Sequence, residues 1–181
     1  MKKRSTVSPI LRICIAAMLV AMSVVIGIFC KTYLNWFGGM VRITFENLPI
    51  IIAGLLFGPV VGAVTGAVSD LLSYLLSPQV YMPNFVVTFG AALMGAIPGV
   101  ISRFIIKKRS VPQVLVSTVA SHIIGSLTVK TIGLISIFGW GVLLRIPVYL
   151  FICPVECVIL FFMFRKSAFR TLVDKIDGGR K

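Results

Sequence analysis

Four cations, Lys31, Arg42, Lys130 and Arg145, fall at or near the ends of apolar segments, where a charge is costly unless something answers it. At the same level the chain offers only two carboxylates, Glu46 and Asp70, so pairing leaves two positive charges over. The chemistry this points to is capture of an anion. Arginine grips a carboxylate through two parallel hydrogen bonds. Trp36, Tyr74, Tyr81 and Phe85, with Trp140 nearby, offer flat faces on which a planar heterocycle can stack. Asn84 can hydrogen-bond a polar ring edge. Blander roles compete at each position. Arg42 and Glu46 are four apart and can bridge across one helical turn. Asp70 can pair with Lys130 or Arg145. Trp36 and Tyr81 suit an interfacial belt, and Asn84 suits a helix N-cap.

Catalysis finds little to work with. The chain has one histidine and five acids in all. It has no phosphate-binding G-x-x-x-x-G-K-[ST] loop, no H-E-x-x-H and no G-x-S-x-G. No catalytic residue is assigned, and a chain of this kind cannot hydrolyse ATP itself. Uphill transport would need an ion gradient or separate energising subunits. Cys153 and Cys157 are four apart, yet no imidazole accompanies them, so they read as packing groups rather than as a metal site. No metal or cofactor is expected. His122 reads as a donor between helices. Glu156, after Pro154, is left open between a water-facing or partner-facing role and an internal hydrogen bond.

The elements that must position these groups are apolar helices. Of 181 residues 58% are hydrophobic and 13% charged, with a mean hydropathy of +1.04. Soluble domains carry about a quarter charged residues. Six apolar segments can be drawn, at about 10–30, 43–57, 60–77, 84–106, 112–130 and 141–164. The expected fold is all-α: one integral membrane domain over 1–181, a polytopic bundle of six transmembrane helices. The second segment is short for a hydrocarbon core that needs about 20 residues, so a tilted or re-entrant course is expected. The apolar run 13–30 outlasts a signal-peptide core and no A-x-A site follows it, so it reads as a first spanning helix.

Charge sets the orientation. Fourteen of the 18 Lys and Arg residues collect on one side, in the segments 2–12, 103–109 and 165–181. By the positive-inside rule that side, with both termini, is cytoplasmic. The net charge of +13 has the same origin, since the basic residues cluster at segment ends rather than along a face that could follow nucleic acid. The external connections are then about 31–42, 77–83 and 129–141. Gly58, Gly62 and Gly66 fall on one stripe and suit close packing inside the bundle. Ala17 and Ala21 form a small-x-x-x-small pair, fit for internal packing or for docking another membrane subunit.

Several runs in order carry a resemblance. Val41-Arg42-Ile43-Thr44-Phe45-Glu46-Asn47-Leu48-Pro49-Ile50 resembles the start of the second helix in substrate-binding (S) components of energy-coupling factor (ECF) transporters. Phe57 through Asp70 is similar to the third helix. Tyr81-Met82-Pro83-Asn84-Phe85 and Ile97-Pro98-Gly99 resemble the folate-specific members. The resemblance implies a bacterial cell-membrane protein that binds a vitamin at its outer face. Implied partners are a membrane scaffold subunit, contacted through Ala17 and Ala21, and two cytoplasmic ATPase subunits. Loops at about 31–42 and 77–83 would gate the site, and the whole component would topple in the membrane. Folate carries carboxylates and a flat pterin ring. Arg42, Lys130 and Arg145 are expected to hold its charge, Trp36, Tyr74, Tyr81 and Phe85 its rings, and Asn84 a ring edge. Another vitamin such as riboflavin or pantothenate, or a structural membrane protein with no ligand, are the alternatives.

Overall fold

A computed structural model describes residues 8–36, 41–77, 84–105 and 111–166. Among the described residues six helical rods alternate in direction. The first, α1 (Pro9–Tyr33), opens on a proline at its first turn and runs for 25 residues. Two short strands follow, β1 (Asn35–Trp36) and β2 (Val41–Arg42), paired antiparallel with Asn35 opposite Arg42. This small ladder is an addition to an otherwise all-helical bundle. Lys31 lies inside the last turn of α1 rather than in a loop.

The second rod, α2 (Asn47–Phe57), is only 11 residues long, and Asn47 and Pro49 to Leu56 are all buried. An apolar helix enclosed on every side sits at the centre of a bundle. The short segment therefore neither crosses alone nor faces outward; it fills the middle. Residues 43–45 are extended, which moves the helix start from the expected 43 to Asn47. Gly58, with φ 95°, turns the chain sharply into α3 (Pro59–Leu76).

α4 (Phe85–Val100) continues through a π-helical turn at Ile101–Ile105. It meets α3 along a stripe of glycines. A β-carbon on Gly95 would run into the Gly62 carbonyl, and one on Gly66 into the Ala91 carbonyl. Small residues at such crossings let backbones touch where no water drives association.

The fifth rod is composite: α5 (Val111–Ser121), a nine-residue π segment (His122–Lys130) and α6 (Thr131–Phe138). The expected end at 130 is thus corrected. The apolar run 131–138 carries the helix on, and Lys130 lies within the rod instead of at its mouth. Gly139, at φ 66°, ends it. A 3-10 turn, Gly139–Leu144, leads into α7 (Arg145–Arg165).

Five of the rods are long and apolar enough to cross a membrane, and α2 is the shorter sixth. The core joins Leu19, Ile50, Ile51, Leu55, Leu56, Met94, Val114 and Leu160. The outside is apolar as well, with Val60, Leu75, Leu150 and Phe151 fully open. Water would not tolerate such a surface; lipid requires it. Arg12, Arg103 and Arg165 lie at one end of the rods, and β1, β2, Asn84 and Gly139 at the other.

Candidate ligand-capture site

Charge enters the bundle near the end that carries the two strands. Lys130 on the fifth rod is 5% exposed and its Nζ stands 3.9 Å from Glu46 Oε1, just ahead of α2. Space for the pair is made by glycines. A β-carbon on Gly27 would stand 2.6 Å from Glu46 Oε2, and one on Gly90 would stand 2.7 Å from Lys130 Cγ. The Ser23 hydroxyl donates to the Glu46 carbonyl (2.7 Å), which ties the start of α2 to α1.

Arg145, at the first position of α7, is 6% exposed. Its Nη2 donates to Tyr149 Oη at 3.0 Å, one turn along, and its guanidinium carbon lies 5.4 Å from the centre of the Tyr149 ring. Nε and Nη1 are buried and find no hydrogen-bond partner among the described residues. A desolvated guanidinium half-served in this way is costly on its own and well prepared for an incoming acceptor. Asn47 is also fully buried with neither amide atom partnered among them.

Deeper between the same two rods, His122 Nε2 and Glu156 Oε2 meet at 2.6 Å, both closed off from the exterior. The open question at Glu156 is answered in favour of an internal partner, and His122 does bridge helices. The His122 ring lies 6.0 Å from that of Tyr149. His122, Ser126 and Lys130 are all buried within the π segment, and such widened turns recur at functional sites. The hydroxyls of Thr128 and Thr131 donate to carbonyls five residues back, Ile123 (2.9 Å) and Ser126 (3.2 Å), which supports the wider register.

Other expected site residues sit differently. Trp36 and Arg42 belong to the paired strands, and β2 packs near α7. Arg42 is in β2 and Glu46 in the turn ahead of α2, so the two do not share one helical turn, and the Arg42 side chain lies outside what is described. Tyr74 is half-buried near the end of α3. Tyr81 lies outside the described residues. Asn84 caps α4, its Oδ1 accepting from the Val86 N–H at 2.9 Å, while its Nδ2 donates to the Gly133 carbonyl at 2.7 Å. Both ends of the amide are thereby used for structure. Phe85 is 86% exposed, on the outer surface of the bundle. Asp70 accepts from the Thr88 hydroxyl at 2.8 Å, which fastens α3 to α4, while Lys130 faces Glu46. Ala17 and Ala21 are exposed on α1. An open apolar groove of about 430 Å³ is lined by Ile43, Pro147, Val148, Phe151, Ile152 and Val155 and offers an anion nothing. Among the described residues no three His, Cys, Asp or Glu gather as a metal site.

Sequence reasoning missed Tyr149 and the glycines at 27 and 90. A signal existed for the first. Arg145, Tyr149 and Glu156 are spaced by four and seven, which is one face of a helix.

A helical bundle with an apolar exterior and charge held inside is the architecture of a polytopic integral membrane protein. The family model described as "ECF transporter, substrate-specific component" matches residues 11–172, and the chain belongs to that family. The family consists of substrate-binding components of transporters. Among solved structures the chain resembles FolT bound with folic acid, at 22% identity and a TM-score of 0.66, over 83% of this chain and 91% of that one. That likeness concerns the fold. No curated protein matches the chain.

Proposed function

We propose that this chain is the capture subunit of an ATP-driven ECF-type vitamin importer and that its vitamin is folate or a close acidic relative. One observation carries the reading: Arg145 is a buried cation with two donor nitrogens unserved among the described residues. An acidic or acceptor-rich guest would satisfy them, and a cation such as thiamine would not. The family supports capture as the task, and the folic-acid complex of a similarly folded protein supports the choice of vitamin.

Arg145 and Lys130 act as the interior cations, with Arg42 above them on the strand ladder. Trp36, Tyr74 and Tyr81 are the aromatic residues assigned to the guest's rings. Asn84 and Phe85 take lesser parts, since one is committed to a cap and the other faces outward. The chain works as one integral domain in the bacterial cell membrane, with both termini cytoplasmic and the site opening outward, a reading that the basic residues at 12, 103 and 165 support. It has no catalytic task. Energy comes from two cytoplasmic ATPase subunits through a membrane scaffold that docks on Ala17 and Ala21. The connections at 31–42 and 77–83 close over the guest.

Titration of the purified chain in lipid nanodiscs with folic acid, without ATP, tests this. Tight, saturable folate binding is expected. Firm riboflavin or pantothenate binding with none for folate overturns the vitamin and leaves the capture role standing. Absence of binding to all three overturns both.

A further inference from the structure

Resting on the reading of Arg145 as the guest's anchor, we infer that His122 and Glu156 are positioning residues for that anchor and act on it through Tyr149. No atom of this pair needs to touch the ligand. Glu156 and His122 are bonded at 2.6 Å and buried, so neither can leave without exposing the other's polarity to an apolar interior. That bond fixes the imidazole across the space between the fifth rod and α7. The fixed imidazole lies against the Tyr149 ring, 6.0 Å between centres and tilted 49°. Tyr149 is itself 2% exposed, so its ring has little freedom to turn away. Its hydroxyl accepts from Arg145 Nη2 at 3.0 Å. The contact engages one guanidinium nitrogen and leaves Nε and Nη1 presented.

The run Glu156–His122–Tyr149–Arg145 is therefore continuous, and it crosses between the fifth rod and α7 twice. It does for the guanidinium what supporting hydrogen bonds do for any preorganised binding group. It removes rotamer freedom before the guest arrives, which would otherwise be lost on binding. Arginine carries much of that freedom on a long stem. A mid-membrane carboxylate would otherwise be a costly ornament. Here its cost is offset by the pose it enforces at the mouth.

The test is a double-mutant cycle on the full chain in nanodiscs, read by folic acid affinity and by the thermal unfolding midpoint. Arg145→Gln is expected to weaken folate binding strongly. Glu156→Gln and Tyr149→Phe are each expected to weaken it by about tenfold, within the range of coupling found for residues in one network. In the Arg145→Gln background the same two changes are expected to weaken it no further. A purely structural role moves the unfolding midpoint and weakens binding equally in both backgrounds, and that result overturns the inference. Tyr149→Phe keeps the ring against His122 and removes only the hydroxyl, so it decides the matter if Glu156→Gln does not fold. Full-strength folate binding by Arg145→Gln overturns the anchor itself, which is a separate failure.

Discussion

Lys130 Nζ lies 3.9 Å from Glu46 Oε1, joining the middle of the fifth rod to the residue that opens α2. The pair sits beside α1 and α4, with Gly27 and Gly90 standing back to admit it. Its charges answer one another, which leaves Arg145 as the interior cation with unserved donors among the described residues.

Breaking that pair should cost more than deleting it. Lys130→Met leaves the Glu46 carboxylate without its ammonium, and Glu46→Gln does the reverse. Each single change is expected to lower stability by about 1–3 kcal/mol, less than the 3–5 typical of a fully buried pair because the contact is long and Glu46 is partly exposed. The double variant is expected to recover part of the loss. Thermal unfolding in detergent measures all three; strictly additive losses would contradict the pairing.

Arg145→Gln should separate binding from folding. Loss of a desolvated charged partner usually costs about 2–5 kcal/mol of affinity, so folate binding is expected to fall by at least about 30-fold. Stability is expected to hold or rise, because a half-served buried charge has been removed. Arg145→Lys should recover only part of the affinity, since an ammonium lacks the planar fork. Calorimetric titration beside a melting curve reads both quantities.

Gly90→Val is expected to displace Lys130 without touching any charge. Its β-carbon alone would come within 2.7 Å of Lys130 Cγ, and the Gly125 carbonyl is 3.1 Å away. Overpacking of this sort costs about 1–3 kcal/mol. Weakened folate binding together with a lowered melting temperature is the expected result, and unchanged binding would remove Lys130 from the site.

The glycine crossing should tolerate nothing larger. Gly95→Ala places a methyl against the Gly62 carbonyl, backbone against backbone, so neither partner can rotate aside. A loss of stability is expected at Gly95 and at Gly62, while Ala92→Gly, on the same helix, should cost no more than about 1 kcal/mol from helix propensity. Melting temperatures of the three variants decide this.

Docking and capture should come apart on α1. Ala17→Trp and Ala21→Trp place bulk on an exposed face of the helix. Folate affinity of the isolated chain is expected to be unchanged. Co-purification with the membrane scaffold is expected to be lost; retention of the complex would place docking elsewhere.

Much of this was readable from residue types alone. Six apolar runs, the glycines at 58, 62 and 66, and the cations left at one end follow from composition and spacing, because lipid demands apolar length and penalises charge at every step of the chain. Those demands are local, so a sequence displays them. The tertiary structure alone decided who meets whom. It brought Lys130 to Glu46, gave Asp70 to Thr88, and joined His122 to Glu156 across 34 positions. It also carried the fifth rod past Lys130 through a π segment, turning a residue expected at the mouth into one within the bundle. Partner choice of this kind is set by distances between packed helices, and a change from α to π register depends on what neighbouring rods supply to the inward face. Neither quantity is written in the spacing of any single segment.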